Sequence, residues 1–138
     1  MYTLSIDLGT TYTAAAILDD SGVPRTVTLG RRAPQVPSVL YLEPDGTFLF
    51  GEVAETQRSS DPTRFRREIK RRIGDTEKIF IADDLYSVAD LTGHLIFGLV
   101  EDGLAVRRYK VNLSLQRMIF HKFFYHVAKV MSEIGIGF

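Results

Sequence analysis

The stretch IDLGTTYTAAAI, residues 6–17, decides how the whole chain is read. An acidic residue, a glycine and two threonines stand between two apolar runs. Thr3–Leu8 and Tyr12–Leu18 read as an antiparallel strand pair that reverses at Gly9. So tight a reversal leaves backbone N–H groups and the hydroxyls of Thr10 and Thr11 at the sheet end, a geometry that suits a phosphate. Asp7 would repel a phosphate unless a cation stood between them. The stretch therefore points to a nucleotide carried with a metal ion. Taken alone, it also admits a plainer reading: a β-turn whose aspartate ties down amides and whose threonines serve strand propensity.

Composition narrows the classes. The chain has 138 residues, 45% hydrophobic and 25% charged, with zero formal net charge, which fits one domain with a sizeable core. Zero net charge gives no long-range attraction toward nucleic acid or an anionic membrane. The absence of cysteine rules out disulfides, thiolate catalysis and thiolate metal sites. The opening MYTLSID lacks the basic start of a secretory signal, and no apolar run approaches the ~20 residues of a membrane span. The expectation is a soluble, cytoplasmic protein with neither nucleic acid nor membrane as a partner.

Outward from the opening pair, Asp19-Asp20-Ser21-Gly22 reads as a turn and Thr26–Leu29 as a third strand. From residue 31 to 86 proline and arginine become more frequent and the elements shorten. Val39–Leu42 and Phe48–Phe50 read as strands about the turn Glu43-Pro44-Asp45-Gly46. Gly51–Arg58 reads as a short helix, and Pro62–Arg72 as a second one capped by Asp61. Lys78–Ile81 and Leu85–Tyr86 form a hairpin across Asp83-Asp84. Ser87-Val88-Ala89-Asp90 is a capping box opening a helix with Val88, Leu91, Leu95 and Leu99 on one face. Its glycines, Gly93, Gly98 and Gly103, each weaken it by ~1 kcal/mol against alanine, so packing must hold it. YKVNLSL, residues 109–115, alternates as a half-buried strand, and residues 116–134 carry an apolar helical stripe from Phe120 to Ile134 before Gly135. Residues 31–86 thus read as an α+β insertion in a first lobe made of residues 1–30 and 87–138.

With these elements in order, the chain resembles the N-terminal part of the ATPase domain of the seventy-kilodalton heat-shock (DnaK-type) chaperones. Four segments carry the likeness: IDLGTTYT, VPSVLYL at 36–42, FGEVAETQRSSDPTRF at 50–65 and IKRRIGD at 69–75. The resemblance implies an α/β fold of the ribonuclease H-like, actin-like ATPase kind: a half-domain with a mixed sheet, helices and a small insertion. The family's proline-containing turn after the next strand is missing here, because Leu113-Ser114-Leu115-Gln116 runs straight into the helix. In the family the second phosphate loop, the adenosine-binding segment and the peptide-binding domain follow further along. The expectation is therefore a fragment, or a truncated gene product whose last thirty residues have drifted.

The resemblance also assigns roles. It implies ATP or ADP with Mg²⁺, held by Gly9, Thr10, Thr11 and Tyr12, with Asp7 as a magnesium ligand through water. Thr10 and Lys70 are the implied catalytic residues, Lys70 positioning the attacking water and stabilising charge on the transferring phosphate; Arg71 supports the loop. Set against this, RFRREIKRR at 64–72 has only Glu68 opposing its basic residues, the usual look of a solvated helix face. His121 and His126, five apart, do not share a helix face as a zinc pair would, and His94 reads as structural. Two functions stand side by side. One is a chaperone ATPase module whose unfolded clients and co-chaperones bind through regions outside this sequence. The other is a non-catalytic remnant acting as a structural or interaction module. The stripe at 116–134 adds an expectation of self-association.

Overall fold

The computed structural model describes residues 2–18, 20–29, 33–103 and 109–112. The stripe at 116–134, residues 113–115 of the last expected strand, His121 and His126 lie outside the described residues. Among the described residues the architecture is α/β, with a mixed sheet, two smaller antiparallel sheets and two α-helices.

Alternation builds the main sheet. In β1 (Tyr2–Leu8) the side chains of Leu4, Ile6 and Leu8 are buried, while Ser5 and Asp7 face away from the core. β2 (Tyr12–Leu18) pairs antiparallel with it and sends Thr13 and Ala15 to the same core. The other edge of β2 is shared end to end by β3 (Pro24–Thr26) and β4 (Gln35–Pro37). That sharing corrects the third strand, expected at Thr26–Leu29. β4 occupies β2 from Tyr12 to Ala14, so pairing from the other side ends with Val27 N–H on the Ala15 carbonyl, and Leu29 enters the core from a loop.

β5 (Val39–Leu42) is buried on both faces and lies between β6 (Phe48–Phe50) and β7 (Phe65–Arg67). Leu40 and Leu42 face the main core, whereas Val39 and Tyr41 pack with Phe65 and with Ala54 of α1 (Gly51–Gln57). The helix expected over Pro62–Arg72 is overturned. Asp61 does cap a first turn, accepting the Thr63 N–H at 2.9 Å, but only one 3-10 turn forms, at Pro62–Arg64. Phe65 then drops into the Val39–Tyr41 cluster, and residues 65–67 complete the open edge of β5. Glu68 reverses the chain at φ 58°, and a second 3-10 turn, Ile69–Arg72, anchors Ile69 in the main core. The basic run is legible as a helix only because a single cap and good formers say nothing of an unfilled sheet edge.

The hairpin of β8 (Ile79–Ile81) and β9 (Asp84–Tyr86) is tied to this segment where Ala82 N–H reaches the Thr63 carbonyl and Arg66 donates to the Phe80 carbonyl. Next comes α2 (Val88–Gly103), opened by the capping box in both directions: Asp90 N–H to Ser87 Oγ at 3.0 Å and Ser87 N–H to Asp90 Oδ2 at 3.1 Å. Val88, Leu91, Leu95, Ile96 and Leu99 enter the main core. The chain returns as β10 (Tyr109–Asn112), parallel to β1, so α2 lies within the crossover that a parallel strand requires.

Gly98 is where α2 meets β6. A Cβ there would fall 2.3 Å from Cδ1 and 2.7 Å from Cγ of Phe50. Helix propensity favours alanine by ~1 kcal/mol, but displacing a packed ring costs about 1–3 kcal/mol. Gly98→Ala is therefore expected to lower the urea midpoint despite its better propensity. A raised midpoint would mean the Phe50 ring swings away freely.

Candidate functional site

The turn between β1 and β2 has a shape only glycine permits. A Cβ on Gly9 would lie 2.0 Å from the carbonyl oxygen of Tyr12, inside any contact distance. The arm leaving the turn is pinned by the 36–38 segment. Ser38 N–H donates to the Thr11 carbonyl at 2.8 Å, Tyr12 pairs with Pro37, and the buried hydroxyls of Thr13 and Ser38 meet at 2.7 Å. A buried hydroxyl pair of this kind leaves no polar atom orphaned, and it fixes the register of the turn against β4.

A groove of about 350 Å³ opens beside the turn. It is lined by Thr10, Thr11 and Tyr12 of the turn together with Pro37, Val39, Glu55, Arg67 and Glu68. Of the site residues expected from the sequence, Thr10, Thr11 and Tyr12 are therefore brought together. Lys70 is half-buried in the 3-10 turn that follows Glu68 and is not among the lining residues. Asp7 lies on the open face of the sheet, in a separate hollow with Ser5, Ala14, Ala16 and Thr26. Among the described residues no group of three or more His, Cys, Asp or Glu side chains is placed to hold a metal. What these residues offer a magnesium ion is the single carboxylate of Asp7, so such an ion would take its other oxygens from water and phosphates.

Arg67, Glu68 and Glu55 were missed by sequence reasoning as residues of the site. Arg67 stood in the sequence as one basic residue of a run. Only the pairing Val39↔Arg67, invisible to local pattern, carries it to the turn. Both carboxylates are engaged: Glu55 with Arg58 at 3.4 Å and Glu68 with Arg71 at 3.2 Å.

A second hollow lies between β6 and α2, with Phe48, Phe50, Val53, His94 and Phe97 in its walls. His94 packs on the Phe48 ring at 4.2 Å between centroids, a structural role as expected. Burial pulls its imidazole below the ordinary value of 6.5, against a smaller opposing pull from Asp90. A depressed folded-state value means that the unfolded chain takes up this proton more readily. The stabilisation is therefore full above 6.5 and is lost as pH falls through the lower folded value. Between about pH 7.5 and about pH 5 the melting midpoint is expected to fall further in the parent chain than in His94→Phe. Parallel declines would contradict this.

Comparison with known proteins bears on the same segments. The family model for Hsp70 protein matches residues 3–90. The chaperone proteins DnaK of Thermotoga petrophila, Thermotoga neapolitana and Thermotoga maritima are each 29% identical to the chain over 104 residues, covering 75% of it. The chain spans 17% of the length of these relatives. Among the described residues no helix is long and apolar enough to cross a membrane. Because the family match runs unbroken from the opening strand through the turn to the basic segment bordering it, and covers more than half of the sequence, the chain belongs to the Hsp70 protein family.

Proposed function

We propose that the turn Gly9–Tyr12 is one half of a triphosphate grip, through which these residues take part in binding and hydrolysis of ATP in a cytoplasmic chaperone. The observation that supports this most is the groove that Thr10–Tyr12 line together with Arg67 and Glu68, the two residues that precede the Ile69–Arg72 turn carrying Lys70. Backbone N–H groups of Gly9–Tyr12 and the hydroxyls of Thr10 and Thr11 hold the β- and γ-phosphates of ATP or ADP. Each such charge-assisted hydrogen bond contributes ~1.5–3 kcal/mol. Mg²⁺ bound with the nucleotide would supply charge neutralisation at the phosphates. Asp7, exposed on the sheet face, orients the water shell of that ion. Lys70 holds negative charge on the transferring phosphate and positions the attacking water, and Thr10 acts as the second catalytic residue. Each of these tasks is electrostatic, so each depends on fixed donors rather than on new bonds to protein.

In this reading residues 1–30 and 87–138 are the first lobe of a ribonuclease H-like, actin-like ATPase fold. Residues 31–86 are its inserted subdomain, with β4 laid on the lobe's own sheet. In this reading contacts to base and ribose, to clients and to co-chaperones come from regions other than the turn and its insertion. A polypeptide of these 138 residues is therefore expected to bind Mg-ATP only in about the millimolar range. ¹H–¹⁵N shift changes would centre on Gly9–Tyr12, and Lys70→Ala would weaken the interaction about tenfold. Hydrolysis no faster than in the Lys70→Ala variant is also expected. Unmoved turn amides would overturn the phosphate assignment, and sub-micromolar affinity by calorimetry would overturn the half-site.

A further inference from the structure

Arg67 is the cation that actually borders the turn, lining the groove together with Thr10, Thr11 and Tyr12. It also lines the neighbouring hollow beside Arg58, Pro62 and Phe65. The two carboxylates near it are paired elsewhere, Glu55 with Arg58 and Glu68 with Arg71. Arg66, its predecessor, is spent on backbone, donating to the Pro62, Phe65 and Phe80 carbonyls. Among the described residues the Arg67 side chain makes neither an ion pair nor a hydrogen bond. An exposed guanidinium without a carboxylate partner, lining the same groove as the hydroxyl-bearing residues Thr10, Thr11 and Tyr12, is a donor set for an anion. Its planar fork matches two oxygens of one phosphate.

The backbone holds Arg67 there. Its residue closes β7 against Val39, and the next residue, Glu68, takes the left-handed conformation that turns the chain away into the Ile69–Arg72 turn. Arg67 thus lines the groove just before this reversal, and Lys70 follows it in the Ile69–Arg72 turn.

We infer that Arg67 is a phosphate-contacting residue of this chain, binding the terminal phosphate of the triphosphate that the Gly9–Tyr12 turn holds. This inference rests on the phosphate reading of the turn. It adds a contact by which affinity follows the number of phosphates, since a guanidinium over the last phosphate senses whether that phosphate is present. ATP is then held more tightly than ADP by a margin that Arg67 sets.

The test is a ¹H–¹⁵N titration of the 138-residue chain with inorganic tripolyphosphate, Mg-ATP and Mg-ADP, each followed at the Gly9–Tyr12 amides. Arg67→Met is expected to weaken tripolyphosphate and Mg-ATP about tenfold and Mg-ADP much less. Arg67→Lys, which keeps the charge but loses the fork, should restore part of the loss. Lys78→Met removes the same charge from an exposed position outside the groove and should match the parent. Parent-like affinity in Arg67→Met while Lys70→Ala is weakened would overturn the inference alone. Equal weakening in Arg67→Met and Lys78→Met would overturn it as well, reducing the effect to net charge. Turn amides unmoved in the parent chain would overturn both the inference and the phosphate reading beneath it.

Discussion

Alanine at Gly9 is expected to cost the fold about 2–4 kcal/mol and to abolish any phosphate-dependent shift at the turn. The added methyl would sit 2.0 Å from the Tyr12 carbonyl oxygen and 3.2 Å from its carbon. Both atoms are backbone, so no rotamer change relieves the clash and the turn itself must open. Opening it pulls on the Tyr12–Pro37 pairing, the Ser38 N–H bond to Thr11 and the buried Thr13–Ser38 hydroxyl pair. Gly22 is the natural comparison. Its φ of +73° strains any L-residue, but nothing lies within 4 Å of a Cβ there, so Gly22→Ala should cost about 1–2 kcal/mol. Denaturant unfolding of the two variants checks the difference. Equal, small losses would mean that the turn does not have the tight shape on which phosphate binding depends.

The second large effect is expected at Leu40. It is fully buried at the centre of β5, the one strand of its sheet covered on both faces. Leu40 and Leu42 enter the core with α2, while Val39 and Tyr41 hold Ala54 and Phe65 on the other side. Leu40→Ala should therefore open a cavity between sheet and helix and lower stability by about 2–5 kcal/mol. A loss of that size takes up much of the ~5–15 kcal/mol available to a typical domain. Leu85→Ala, on the half-exposed rim of the β8–β9 hairpin, should shift the urea midpoint by no more than about 0.5 kcal/mol in equivalent stability. Similar midpoints for the two variants would contradict the packing described for β5.

Local pattern carried most of the fold. Period-two alternation in Thr3–Leu8 and Tyr12–Leu18, the Glu43–Gly46 turn and the Ser87–Asp90 box each write their geometry into neighbouring residues, and all are present. What was not legible depended on partners distant in sequence. The segment 62–72 carries a good cap and a run of helix formers, yet the edge of β5, some twenty-five residues earlier, claims Phe65–Arg67. The third strand stops near Thr26 because β4 takes the rest of the β2 edge. The same long-range pairing governs the candidate site. Gly9–Tyr12 could be read directly from the turn. That Arg67 lines the groove, with Lys70 in the turn that follows it in sequence, depends on β7 being a strand.

Paramagnetic broadening by Mn²⁺-ATP, with Mn²⁺ in place of Mg²⁺, reads the position of metal and phosphates at once. The amides of Asp7 and Gly9–Tyr12 are expected to broaden first, with the Arg67 side-chain N–H close behind, and Lys70→Ala should require more nucleotide for the same effect. Free Mn²⁺ without nucleotide should leave the turn sharp, since Glu55 and Glu68 of the groove are paired with Arg58 and Arg71 and, among the described residues, no group of three or more His, Cys, Asp or Glu side chains is placed to hold a metal. Broadening centred on Asp83 and Asp84 with Gly9–Tyr12 unchanged would contradict the account, placing the ion at an acidic surface turn and leaving the glycine bend without a phosphate to hold.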